Sequence, residues 1–264
     1  MRLQKRVVLF LLLFILIIGG TGCMSSSNAS TEEKAIQYLE EKYDKEFEVM
    51  FAKEGSKLFQ DLYGGDKVVV HPKDDSEAIF LVEEANTEGD LMDSYIPAKW
   101  GQELQSKLAD SIENELPEDS PYKLTFHVNS KEFDPSMASM TVDEYLSQNK
   151  NVRVVLTAGI KSSGEPDVNA YSQGIFNLYN LLKGLGVESY IVSVGFVDSS
   201  EDISEYIRTI NVNNMGWSNL NAKVYGELGL DERNNPDNPS ESFDPTLILN
   251  SENNVVENYT PFEG

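Results

Sequence analysis

The sequence predicts an α+β fold: mixed β-sheet with packed helices, and a β-α-β unit in its second half. Three observations carry that reading. Two capped helix starts each lead toward strand-like alternation, at Ser30-Thr31-Glu32-Glu33 and at Thr141-Val142-Asp143-Glu144. Trp100, Leu104, Leu108 and Ile112 recur every four residues, marking one long helix. From Val152 to Val197 an apolar strand, a helical pattern and a second apolar strand follow one another, the order of a parallel crossover.

The elements follow in order. After the first cap, Ala35, Ile36, Leu39 and Tyr43 share one helical face. Phe47, Val49 and Phe51 alternate with Glu46 and Glu48, the pattern of a half-buried strand. Gly64-Gly65 interrupts the chain before Val68-Val69-Val70, and Ala78 to Val82 reads as a further strand beyond the turn HPKDDS. The long helix lies between Pro97 and Pro117. Tyr122, Leu124, Phe126 and Val128 then alternate with Lys123, Thr125 and His127, whose face is expected to meet solvent.

A connector from Phe133 to Met140 precedes the second cap and a short helix through Leu146. Val152 to Ile160 is a strand. Asp167 to Leu185 is a helix carrying Ile175, Leu178, Tyr179 and Leu182, and Tyr190 to Val197 is apolar enough to be central in its sheet. Ile203, Tyr206, Ile207 and Ile210 mark another helix. Ala222 to Leu228 is assigned to a helix, Asp231 to Pro245 to a loop, and Thr246 to Leu249 with Val255 to Asn258 to a terminal hairpin. A boundary near residues 130–140 and one continuous sheet are both compatible with this pattern.

The first 22 residues have a different character. Arg2, Lys5 and Arg6 precede an unbroken apolar run from Val7 to Ile18, and Gly19, Gly20, Thr21 and Gly22 lead to Cys23, the chain's one cysteine. The run is shorter than the roughly 20 apolar residues of a spanning helix. A basic start, an apolar stretch and small residues before a cut site are the parts of a secretory leader. The segment resembles a bacterial prolipoprotein signal peptide of the signal peptidase II class, with Gly20 at the position that is usually leucine.

The resemblance implies cleavage before Cys23 and a diacylglyceryl group on its thiol. The expected organisation is a leader at 1–22, a lipidated Cys23 with a flexible tether to residue 30, and an extracytoplasmic domain at 31–264. Two acyl chains suffice for stable anchoring where one does not. The expected address is the outer face of the cell membrane.

Composition narrows the partners. With 44 acidic and 21 basic side chains the net charge is −23, and loss of Arg2, Lys5 and Arg6 with the leader takes it to −26. Such a chain lacks the basic footprint of nucleic-acid binding, and anionic headgroups would repel it. It favours a basic protein or peptide as partner.

The chemistry-bearing residues give little. His71 and His127 have no ligand or nucleophile at a recognisable spacing and read as strand histidines. Ser193 is followed by Gly195, but Ile191 stands where a nucleophile elbow needs its first glycine. Gly159 to Gly164 lies between strand and helix without the spacing of a phosphate loop.

Asp231 to Asp244 is rich in oxygen donors but lacks the order of a calcium loop. Trp100 belongs to the core stripe; Trp217, in a polar segment, reads as a plug at the core's rim or as an anchor for a ligand. No cofactor and no metal is expected. The leading function is a non-enzymatic binding or accessory lipoprotein of the envelope. The alternatives are a carboxylate-dependent cell-wall hydrolase and a divalent-cation-binding surface protein.

Overall fold

Helix α1 (Thr31–Tyr43) begins where its capping box dictates: Ser30 Oγ accepts from Glu33 N at 3.2 Å and Glu33 Oε2 accepts from Ser30 N at 3.0 Å. The computed structural model describes residues 30–53, 66–84, 90–213, 215–237 and 243–263. The leader, Cys23, the tether through residue 29 and Gly64-Gly65 lie outside these residues.

Four strands form the first sheet, β1 (Phe47–Lys53), β2 (Lys67–Pro72), β3 (Phe80–Glu84) and β4 (Leu91–Asp93), in sequential antiparallel order. The strand expected over Phe47, Val49 and Phe51 is present, but its alternation breaks. Val49 pairs with Val70 and Phe51 with Val69, so Met50 is an extra residue in β1. A one-residue bulge turns every following side chain to the opposite face, and Phe51 ends 47% exposed. The short β4 has no counterpart in the sequence reading, since three residues carry too little pattern.

Helix α2 (Tyr95–Glu113) buries Trp100, Leu104 and Ile112 as its stripe requires. It lies against β5 (Tyr122–His127), the edge of a second sheet ordered β5-β6-β7-β8-β9. The chain thus forms two sheets rather than one, and passes between them across α2, ahead of residues 130–140. Gly101 permits the approach: a Cβ there would sit 3.3 Å from Phe126 N and 3.4 Å from Leu124 O.

Helix α3 (Val142–Gln148) opens on the second capping box, with Thr141 and Glu144 exchanging bonds as Ser30 and Glu33 do. Strand β6 (Arg153–Ser162), helix α4 (Ser172–Lys183) and strand β7 (Ser189–Asp198) form the crossover unit. β6 and β7 pair in parallel over ten residues, and β7 is central. Ile175, Leu178, Tyr179 and Leu182 of α4 cover the face of Val192, Val194 and Phe196, each burial contributing about 1.5–3 kcal/mol.

The expected helix from Ile203 to Ile210 is split at Thr209 into α5 (Ser204–Arg208) and α6 (Ile210–Asn213). The helix assigned to Ala222–Leu228 is instead strand β8 (Val224–Asp231), antiparallel to β7. Gly226 and Gly229 disfavour a helix. In the strand, Leu228 and Leu230 enter the same core as Val192 and Val194.

The terminal hairpin is also replaced. Residues Pro245–Leu247 and Glu252–Asn258 form 3₁₀ turns, and β9 (Tyr259–Pro261) pairs with β8. Asn234 holds this region, donating to Leu247 O at 2.7 Å and Asn258 Oδ1 at 2.8 Å, a long-range tie that local sequence does not announce. One hydrophobic cluster runs from Ala35 and Phe80 in the first layer to Leu182 and Leu230 in the second. The fold is α+β.

Candidate inter-sheet groove

A cavity of about 190 Å³ lies where the outer side of β3 and β4 faces β5. Alternation places Ile79, Leu81 and Glu83 in one row and Lys123, Thr125 and His127 in the other. The first turns of α2, with Ser94, Pro97, Ala98 and Gly101, contribute the floor, and Asn211 of α6 lines it too.

The Lys123–Thr125–His127 face, which the alternation assigns to solvent, is therefore largely enclosed. Lys123 is 5% exposed and Thr125 is buried. Both sit under the margin of the first sheet, a long-range packing that strand periodicity cannot signal. Lys123 Nζ donates to Glu77 O at 2.7 Å and Gln102 Oε1 at 3.5 Å, with the Glu77 carboxylate 4.0 Å away. Burial pulls the Lys123 ammonium below its ordinary pKa, against the opposing pull of Glu77 and Asp75.

Arg208 clamps the same end, reaching Glu77 Oε1 at 3.2 Å and Ser76 O at 3.1 Å. Beside it, Asn211 Nδ2 donates to Ile79 O at 2.6 Å, while Asn211 Oδ1 is buried without a partner. Among the described residues, that acceptor is the unsatisfied group of the groove. An unmade bond of this kind costs roughly 1–3 kcal/mol.

His127 stands at the open end, with its Nε2 2.9 Å from Thr125 Oγ1. Its ring is exposed at the mouth yet crowded by protein on its other sides. That desolvation first, and the Arg153 guanidinium second, hold its pKa below the usual imidazole value.

The remaining sequence candidates fall elsewhere. His71 sits on β2, its Nδ1–H donating to Pro72 O at 2.8 Å. Ser193 and Trp217 do meet: the indole Nε1 donates to Ser193 Oγ at 3.0 Å, and Trp217 is 3% exposed. Trp217 is the plug of a small cluster with Val197, Ile203, Tyr206 and Ile207, so the anchor reading is corrected. Trp100 stacks on Tyr145 and donates to Met140 O.

Gly159 to Ser162 are strand residues of β6, paired with β7, rather than a loop. In the acidic segment, Asp231 is bound by Arg233. Among the described residues, no group of three or more His, Cys, Asp or Glu could hold a metal ion, and no helix is long and apolar enough to cross a membrane. Sequence reasoning missed Lys123 and Asn211. The signal within reach was a lysine inside a strand pattern, between Tyr122 and Leu124.

No family model matches the chain, and no curated protein matches it. Among solved structures, the crystal structure of a DUF5037 family protein from Ruminococcus gnavus ATCC 29149 is similar, with a TM-score of 0.48 and 13% identity. The match covers 76% of this chain and 90% of that one.

Proposed function

We propose that the protein is a lipid-anchored binding protein on the extracytoplasmic face of a bacterial membrane, with the inter-sheet groove as its ligand site. The observation that carries this reading is the groove itself. Side chains from two sheets surround a cavity in which Ile79, Leu81 and Met92 of the first face Lys123, Thr125 and His127 of the second, with Lys123 held by Glu77 O and Asn211 by Ile79 O. A concave surface that combines apolar side chains with polar groups fixed by main-chain bonds is a usual form of a ligand site.

The anchor rests on the leader, with its basic start, apolar run and the sequence Gly20-Thr21-Gly22-Cys23. A net charge near −26 after cleavage would keep the domain off an anionic bilayer and leave the groove accessible. The test is the denatured intact mass of membrane-extracted protein, wild type against Cys23→Ala. The expected wild-type mass corresponds to cleavage before Cys23 plus acyl chains, absent in the variant. An uncleaved, unacylated mass in both overturns the anchor.

A further inference from the structure

We infer that the groove takes a small uncharged molecule, mainly apolar and close to a substituted benzene in size, seated on Leu81, Met92, Ala98 and Phe133. The inference rests on the reading of the groove as a ligand site and adds the chemistry of its occupant.

Three observations select that chemistry. The first is apolar surface still open to solvent. Leu81 of β3, Met92 of β4, Ala98 of α2 and Phe133 of the connector to α3 all line the cavity, and each is partly exposed. Met92, at the rim, is 38% exposed. Four elements thus turn accessible apolar surface toward one space, and a guest that covers it gains about 25 cal/mol per Å². Methionine adapts its shape to different apolar guests.

The second is the state of the charges. Three carboxylates line the cavity, and each is already matched. Asp93 accepts from Lys42, Tyr38 and Tyr43, Glu83 pairs with Lys67 at 3.3 Å, and Glu77 pairs with Arg208 at 3.2 Å. The Lys123 ammonium is spent on Glu77 O at 2.7 Å. His127 is neutral at physiological pH, since desolvation first and Arg153 second hold its pKa below the ordinary value. Asn211 offers no open contact, because Nδ2 bonds Ile79 O and Oδ1 is sealed from solvent.

A charged guest would leave water and meet no unmatched counter-charge, and an unpaired charge is costly to bury. The surplus negative charge of the chain acts over its whole surface and does not single out this groove.

The third is size. At about 190 Å³ the cavity exceeds the 150 Å³ or so that holds a benzene, and stays below the roughly 300 Å³ at which sites for drug-sized ligands begin. A single ring with a short arm suits that volume.

The test is an NMR titration of the detergent-solubilised full chain, labelled at its methionine methyl groups, with benzyl alcohol, benzoate and benzylammonium. The probes share a ring and a one-carbon arm and differ in charge. Benzyl alcohol is expected to shift the Met92 methyl saturably. Met215, 39% exposed and outside the groove, reports the response of any exposed methionine. Benzoate and benzylammonium should each bind about tenfold more weakly, or less still. Ala98→Leu fills the cavity from α2 and should weaken benzyl alcohol about tenfold with an unchanged unfolding midpoint.

A Met92 response no different from that of Met215, or full affinity in Ala98→Leu, would mean partition onto exposed surface and overturn the inference. Should the variant fail to fold, the probe series decides by itself. Equal or tighter binding of a charged probe at Met92 overturns the uncharged occupant and leaves the groove a ligand site. No saturable shift at Met92 with any of the probes overturns both, and the anchor is judged separately by the intact mass.

Discussion

Asp93 ties the first layer together at a single carboxylate. Its buried oxygens accept from Tyr38 Oη at 2.9 Å, Tyr43 Oη at 2.9 Å, Lys42 Nζ at 2.6 Å and Tyr95 N at 3.0 Å, joining α1, β4 and α2. Burial first and the Asp93 charge second push both phenols well above their ordinary pKa. Asp93→Ala leaves four donors unmet and should lower stability by about 3 kcal/mol in urea unfolding.

Gly195 makes a second residue-scale case, since a Cβ there would lie 2.2 Å from the Trp217 ring. Gly195→Ala should cost about 2 kcal/mol, and Trp217→Leu in the same chain should recover part of it. None of this was legible beforehand: the sequence displays Asp93 and Gly195 as ordinary residues, because their partners are distant in the chain. Ser30, Glu33, Thr141 and Glu144 were legible, because a capping box is complete within four residues.

At the scale of elements, periodicity succeeded where burial is one-sided and local. The stripes of α1, α2 and α4 and the parallel pair β6–β7 follow from spacing alone. It failed where tertiary contacts override pattern, as in β8, whose partner β7 supplies the pairing that Gly226 and Gly229 deny to a helix. It failed again at β5, whose polar face is covered by the first sheet.

The enclosure of β5 has a measurable consequence through His127, whose pKa is lowered in the folded chain. Above its ordinary value of 6.5 the ring is neutral folded or unfolded, and contributes no pH dependence. As pH falls through 6.5 the unfolded chain takes up the proton first, so stability falls. His127→Gln should remove that part of the slope in denaturant midpoints measured between pH 7 and 5. Asp198 loses its contribution only at lower pH. The Tyr225 hydroxyl at 2.5 Å, then Ser200, holds its carboxyl below the usual carboxylate range.

Across the whole molecule, two sheets share one core through α2, although each has its own topology. Trp100 reports on the junction of α2 with β5, and Trp217 on the cluster beyond β7. In each single-tryptophan chain, made by Trp217→Phe or Trp100→Phe, tryptophan fluorescence and far-UV circular dichroism should therefore unfold with coincident midpoints. Separated midpoints of the two probes within one chain would divide the molecule into independently folding parts. Length and pattern carry the class of fold, while the groove arises only when distant strands are brought together and so has no signal in composition.

The central claim is that an anchored chain carries a ligand in this groove. Native mass spectrometry of the gently solubilised protein, wild type beside Met92→Arg, tests it most directly. The expected result is a wild-type native mass above its denatured, acylated mass by a bound species that the variant lacks. A native mass equal to the denatured mass in the wild type, or the same bound species on both proteins, would contradict it.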